Sequence, residues 1–196
     1  MPLALRLDGQ LNFAALHASF AEIVRRHEVL RTTFPLIEGQ PVQKIAEALP
    51  LSIVRLDLQG LDPAHHPLVT RMMAEDEAAV PFELATGPLL RLKLLQLAAE
   101  SHVLLLTMHH IVGDDWSNVL LMQELSTLYA AFARGEASPL AELSVQYADY
   151  AQWQRAWLQD ATLQSQLGYW RNHVADAPPL LQLPLDFDDQ GFLFGE

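Results

Sequence analysis

The pattern of apolar and polar residues changes from a strand-like to a helical period within the first 30 positions. In LALRLDGQLN the two classes alternate and a turn follows, which is typical of a strand. From Asn12, a residue type that caps helices, apolar side chains then recur at helical spacing to about Leu30. The chain is therefore predicted to begin with a strand and an amphipathic helix.

The middle of the chain is predicted to alternate between strands and one helix. RTTFPLIEGQPVQKI favours two short strands around its Glu-Gly turn, and LSIVRLDL favours a further strand. A helix is expected from Asp62 to about Val80. GPLLRLKLLQLAAESHVLLLTMHHIV gives the clearest hairpin, because two strongly apolar strands flank a polar turn near Glu100.

The last third of the chain is predicted to be helical. One helix should extend from Asp115 to about Arg134 and end at Gly135, and residues 144–174 form a second, aromatic-rich helical region. Residues 175–196 contain three prolines and are expected to form a loose, linker-like tail. Together these elements predict one α/β domain, a two-layer sandwich in which helices cover a mixed β-sheet.

Composition excludes several classes of function. The chain has no cysteine, which rules out thiol nucleophiles, thiolate metal sites and disulfides. Its 24 acidic and 12 basic residues give a formal charge of −12, so neither nucleic acid nor an anionic membrane is an expected partner. There is neither an 18-residue apolar run nor a secretion signal, and the expected location is cytoplasmic.

The stretch TMHHIVGDDWS, residues 107–117, carries the candidate chemistry. It could be a metal site, a proton-transfer site or part of the core. His109 and His110 are predicted at the end of a hairpin strand, where neighbours point to opposite faces, so a shared metal ion is not expected. Of Asp114 and Asp115 at the helix start, one suffices as a cap and the other is free for a different role.

The two histidines have different expected roles even before any family is considered. His109 is expected to be a hydrogen-bonded interior residue. For His110 the residues alone leave two alternatives open, since the same imidazole could pack in the core or face a cavity and transfer protons near neutral pH.

Four stretches, in order, resemble the condensation domains of nonribosomal peptide synthetases, which belong to the chloramphenicol-acetyltransferase-like superfamily. MHHIVGDDWS resembles the His-His-x-x-x-Asp-Gly motif of that family. The other three are RHEVLRTTF (26–34), PFELATGPLLRLKLLQL (81–97) and YADYAQWQ (147–154). Because they span some 130 residues in the family's order, a chance match is not credible. The resemblance implies an acyltransferase that joins a carrier-bound acyl or peptidyl thioester to a carrier-bound amine.

The resemblance also implies roles for individual residues. His110 matches the second histidine, which accepts the proton of the amine or orients the amine for attack. His109 and Asp114 match residues that support the site, and Arg31 is the preferred ion-pair partner of Asp114, with Arg26 as the second choice. A buried carboxylate needs such a cation.

Partners and cofactors follow from the same resemblance. The substrate channel is expected beside Asp115, Trp116 and Ser117. No metal and no directly bound cofactor are expected, because the phosphopantetheine arms are delivered by donor and acceptor peptidyl carrier domains. An adenylation domain is the expected neighbour in the chain.

Two departures from the family limit this expectation. Asp115 stands where the family has glycine, which suggests an altered substrate, a weak enzyme or a catalytically degenerate carrier-docking scaffold. Residues 1–196 match only the N-terminal lobe, so the C-terminal lobe would be missing, the isolated fragment inactive and an exposed apolar face open to self-association. Ester-forming and epimerising relatives of the superfamily remain alternatives.

Overall fold

The computed structural model describes residues 1–178 and 180 of the chain. The elements of the described part are β1 Pro2–Asp8, α1 Phe13–Arg26, β2 Thr32–Thr33, β3 Leu36–Ile37, β4 Gln40–Pro41, β5 Lys44–Ile45, β6 Ile53–Asp57, α2 His66–Ala79, β7 Leu90–Ala98, β8 Ser101–Met108, α3 Asp115–Ala133, α4 Tyr147–Trp157 and α5 Asp160–His173. They fall into two compact units, Met1–Ala151 and one that begins at Gln152. Most of the tail predicted to be loose, residues 179 and 181–196, lies outside the described residues.

A four-stranded sheet forms the centre of the first unit, in the order β1-β8-β7-β6. β7 and β8 are the predicted hairpin, and β1 pairs antiparallel with the other edge of β8, which places Leu3 opposite Leu106. β6 runs parallel to β7. The sheet is therefore mixed, as the sequence predicted.

The larger core lies between one face of this sheet and the helices α1 and α3. Leu104 and Leu106 of β8 are fully buried there, and so are Phe20 of α1 and Leu128 of α3. Burying apolar surface of this kind is the main favourable contribution to folding, about 1.5–3 kcal/mol for each such side chain. The packing fixes the start of α3 close to the end of β8.

The opposite face of the sheet carries a smaller apolar cluster under α2. Leu95, Val103 and Leu105 point to this side, since neighbouring strand residues alternate between faces. Met73 and Ala74 of α2 pack against them. The expected α/β architecture, a mixed sheet covered by helices, is confirmed, and α2 adds a cover on the second face.

Helix α1 begins where the sequence predicted and ends four residues earlier than predicted. The side chain of Asn12 accepts a hydrogen bond from the backbone N–H of Ala15 at 3.1 Å, as an N-cap does. His27 takes an extended conformation and ends the helix, and a short 3-10 turn at Glu28–Arg31 follows. The RHE segment therefore lies on a sharp change of chain direction.

The remaining predicted elements are also present. β3 and β4 form the small hairpin around Gly39, and β2 pairs with β5 beside it. The region predicted to be helical, 144–174, contains α4 and α5, which are separated at residues 158–159. In the described part of the chain, no helix combines the length and the apolar character needed to cross a membrane.

Candidate functional site

The two histidines lie in a turn that directly follows β8. The strand ends at Met108, and the backbone N–H of Val112 closes the turn by donating to the carbonyl of His109 at 3.1 Å. We call residues 109–112 the histidine turn. The prediction that both histidines belong to the strand is wrong, so their directions follow from the turn and not from strand alternation. The turn leaves the side chain of His110 exposed to solvent.

His109 is a half-buried residue whose ring holds the turn together. Its Nδ1 accepts a hydrogen bond from the backbone N–H of Ile111 at 3.0 Å. A nitrogen that accepts carries no proton, so this contact requires the tautomer protonated on Nε2. The ring also makes an edge contact with Phe82, with 5.7 Å between centroids and an interplanar angle of 87°. These contacts lie within the turn and with Phe82, and the supporting role of His109 in catalysis stays a prediction.

Asp114 caps α3 from an exposed position. Its Oδ1 accepts hydrogen bonds from the backbone N–H of Ser117 at 2.8 Å and from the Ser117 hydroxyl at 2.7 Å. These two bonds, the hydroxyl first, hold the pKa of Asp114 below its usual value. Gly113 lets this cap lie close to the strand end, since a Cβ there would lie 2.6 Å from Cε of buried Met108.

The predicted ion pair between Asp114 and Arg31 is not present, because both groups have other partners. The guanidinium of Arg31 donates to the carbonyl of Ala46 and to Glu28 at 3.3 Å. The Nε of Arg31 is buried and has no acceptor within the described part of the chain. Asp114 is exposed, so the premise that it is a buried carboxylate in need of a cation was wrong.

Arg26, the second candidate, is bound elsewhere too. Its side chain is only 3% exposed and pairs with Glu124 of α3 at 3.3 Å, and it donates to the carbonyl of Ala141 at 2.8 Å. His27 contacts the same carboxylate at 2.9 Å. Burial alone would raise the pKa of Glu124, but the hydrogen bonds from Arg26 and His27 outweigh it and lower the pKa.

Gln146 completes this network from the other side. Its side-chain amide donates to the carbonyl of Arg26 at 2.8 Å and accepts from the backbone N–H of Glu28 at 3.1 Å. The sequence analysis missed Glu124 and Gln146. Glu124 could have been found, because it is an acid on the otherwise apolar face of α3 and such a group requires a cation.

A small cavity of about 100 Å³ lies beneath the histidine turn, between the end of α1 and the start of α3. Its polar lining comes from His27 and Ser117, and its apolar lining includes Met108 and Val112. Of the three residues expected at a substrate channel, Ser117 lines this cavity, whereas Asp115 and Trp116 are exposed beside it. In the described part of the chain, no three His, Asp or Glu side chains are placed to hold a metal ion.

The arrangement suits proton transfer or orientation of a nucleophile at an open surface. The imidazole of His110 is accessible, lies next to the positive end of α3 and is carried by a turn with internal hydrogen bonds. Exposed apolar side chains surround this end of α3, including Trp116, which is 72% exposed, and Val119, which is 50% exposed. A bound partner could therefore bury apolar surface next to the imidazole.

Comparison with known proteins finds a family that matches this chain. The condensation domain model matches residues 1–192. A linear gramicidin synthase protein of Brevibacillus parabrevis is 48% identical over 186 residues, 95% of this chain, and phosphinothricin tripeptide synthetase PhsB of Streptomyces viridochromogenes is 43% identical over 93% of this chain.

Solved structures agree with the sequence relatives. The X-domain from teicoplanin biosynthesis has a TM-score of 0.81 and 34% identity, with 95% of this chain and 41% of that chain covered. The same domain in complex with OxyB has a TM-score of 0.78 at 34% identity, with 95% of this chain and 40% of that chain covered.

The chain is much shorter than the relatives it matches. It spans 4% of the gramicidin synthase protein and 15% of PhsB, and about two fifths of the X-domain chains. The family model nevertheless covers nearly every residue, and the sheet, the histidine turn and the cap of α3 lie inside the match. The chain belongs to the condensation domain family.

Proposed function

We propose that this chain is the N-terminal lobe of a condensation domain that forms an amide bond. The donor is an acyl or peptidyl thioester on one peptidyl carrier domain, and the acceptor is an amine on another. The observation that carries the proposal is the exposed imidazole of His110 in a hydrogen-bonded turn, inside a chain that belongs to this family.

His110 acts on the acceptor amine in this proposal. A free amine is already nucleophilic, so the imidazole orients it and accepts a proton as the tetrahedral intermediate forms. The amine nitrogen forms the new bond to the carbonyl carbon, and the thiol of the donor arm leaves. His109 and Asp114 support the site through the histidine turn and the cap of α3, whereas Arg31 stabilises the segment after α1 instead of pairing with Asp114.

The partners of the proposed reaction are other domains. Phosphopantetheine arms on the two carrier domains deliver the substrates past Asp115, Trp116 and Ser117, and no cofactor is bound by the lobe itself. An adenylation domain is the proposed neighbour, and a C-terminal lobe supplies the facing wall of the channel. We expect the 196-residue chain alone to be inactive for this reason.

The test replaces the imidazole in a protein that contains both lobes. His110→Ala should lower the rate of amide formation between loaded carrier domains by about a hundredfold or more, the range for a lost general base. His65→Ala, which removes an exposed histidine at the start of α2, is the matched control and should keep full activity. Equal turnover by the two variants would contradict the proposed role. An ester product from a hydroxyl acceptor would assign the chain to ester formation.

A second candidate function is a non-catalytic scaffold that binds other proteins. Two observations favour it. Asp115 occupies the glycine position of the family motif, in the first turn of α3, where its exposed side chain adds bulk and charge next to the histidine turn. A structural neighbour at 34% identity, the X-domain, forms a complex with OxyB.

Asp115→Gly in the two-lobe protein separates the two candidates. If the aspartate has degraded the site, the variant should gain turnover strongly, whereas an unchanged rate means that an active site tolerates the aspartate. Ser126→Gly, at another exposed position further along α3, controls for the loss of helix stability that a glycine causes.

A further inference from the structure

A column of side chains in contact with one another connects α2 to the histidine turn. The guanidinium of Arg91 lies over the ring of Phe82, 3.9 Å from its centroid, and Phe82 contacts the ring of His109. Glu77 anchors the other end through a 2.6 Å ion pair with Nε of Arg91. The column therefore comprises four residues from four different segments of the chain.

Arg91 is held rigidly. Its Nη2 donates to the carbonyls of Glu77 and Val80, each at 2.9 Å, and its Nη1 donates to the carbonyl of Pro81 at 3.2 Å. With the ion pair to Glu77, the guanidinium plane is fixed by four acceptors. A fixed, planar cation attracts the electron-rich face of an aromatic ring and holds the ring in one orientation.

Phe82 transfers this rigidity to His109. The His109 ring contacts Phe82 and at the same time accepts the N–H of Ile111 at its Nδ1. A backbone bond from the N–H of His109 to the carbonyl of Leu89 ties the same residue to the segment before β7. Loss of the Phe82 ring would free the imidazole to rotate and to change tautomer.

We propose that Phe82 and Arg91 are positioning residues that lock the ring and tautomer of His109 and thereby hold the histidine turn in the form that presents His110. The catalytic part of this inference rests on the proposed function, whereas the structural part does not. Phe82 and Arg91 touch no substrate in this proposal. They act only through His109, and the geometry of the neighbouring catalytic imidazole depends on it.

The chain contains its own matched control. Arg55 lies 4.5 Å over the ring of Phe13, and Phe13 contacts His17 with 6.4 Å between centroids. In this second Arg-Phe-His column Phe13 and His17 are half-buried at the edge of the main core, as Phe82 and His109 are, whereas Arg55 is exposed; none of the three belongs to the histidine turn. Phe13→Leu thus repeats the packing loss of Phe82→Leu without touching His109.

The structural part is tested by ¹⁵N NMR of histidine side chains in the 196-residue chain. The wild type and Phe13→Leu should show His109 as the Nε2–H tautomer, and Phe82→Leu should show a mixture. Phe82→Tyr keeps an aromatic ring at this position and should show the single tautomer again. Arg91→Lys should shift the tautomer population of His109 towards the mixture. An unchanged tautomer in folded Phe82→Leu, verified by its amide spectrum, would overturn the inference.

The catalytic part is tested by steady-state kinetics in the two-lobe protein. Phe82→Leu should lower kcat about tenfold with little change in KM, because a misplaced imidazole affects the reaction more than substrate binding. Phe13→Leu should leave kcat within about twofold, and Phe82→Tyr should recover most of the wild-type value. Equal kcat for the two leucine variants would overturn this part. If His110→Ala also kept full turnover, the proposed function would fail. The tautomer measurement would still decide whether Phe82 and Arg91 fix the ring of His109.

Discussion

The pair between Arg26 and Glu124 offers a quantitative test of how burial controls an ion pair. Glu124→Gln removes the negative charge with almost no change in shape. The partner, Arg26, is only 3% exposed, so its guanidinium would lose its counter-charge in a site that water barely reaches. Breaking one partner of a buried pair costs about 3–5 kcal/mol.

The contacts in this structure place the expected cost at the lower end of that range. Arg26 keeps its hydrogen bonds to the carbonyls of Ala141 at 2.8 Å and Leu140 at 3.4 Å, and the glutamine still offers one carbonyl acceptor. We therefore expect the free energy of unfolding to fall by about 3 kcal/mol. With a urea m-value of about 2 kcal/mol/M, this lowers the unfolding midpoint by about 1.5 M.

The neighbouring residue provides the control. Arg25 pairs with Glu22 at 2.7 Å, but its side chain is 53% exposed, and Glu22→Gln should cost less than about 1 kcal/mol because water screens such a pair. Urea denaturation followed by circular dichroism measures both variants on the same chain. If the two amide variants differed by less than about 0.5 kcal/mol, burial would not be what makes the Arg26 pair strong.

Three further predictions address acid stability, the core and the cap of α3. Burial would raise the pKa of Glu77, but hydrogen bonds from two cations on β7 outweigh burial and lower the pKa. The ionised carboxylate therefore stabilises the fold at pH values above its usual pKa of 4.5. This contribution is lost as the pH falls through the lower pKa of the folded state. Glu77→Gln should accordingly flatten the acid limb of a plot of urea midpoint against pH. Leu128→Ala, at a fully buried position, should cost about 3 kcal/mol in urea denaturation, and Leu120→Ala, at a 43% exposed position, less than about 1 kcal/mol. Ser117→Ala should raise the pKa of Asp114 towards its usual value of 3.8 in an NMR titration, because the hydroxyl bond is the largest cause of the lowering.

Most of the fold was predictable because it follows from short-range patterns. The apolar alternation of the hairpin, the Asn12 cap and the spacing of α1 each depend on neighbours within a few residues. The early end of α1 was not predictable in this way. His27 leaves the helix because Glu124 and Gln146, about a hundred residues later, hold the backbone and side chains of the RHE segment.

The contacts of the candidate site were less predictable than the fold. The resemblance proposed roles for the histidine and aspartate positions, yet the choice of Arg31 as the partner of Asp114 assumed a buried carboxylate. Burial depends on the three-dimensional packing around the start of α3, which leaves Asp114 exposed and satisfied by Ser117. The stacking of Phe82 and Arg91 beside His109 also has no short-range signal, since 27 positions separate Phe82 from His109 in the chain.

The pairing of β1 with β8 determines when the sheet can be completed during synthesis. Leu3 faces Leu106, so β1 has no partner strand until residues 101–108 have left the ribosome. Because chains are synthesised at about 5–20 residues per second, β1 stays without its partner strand for on the order of ten seconds. The exposed side chains of Arg6 and Asp8 place charges along the unpaired β1 strand, and such charges disfavour its pairing with strands of other newly made chains.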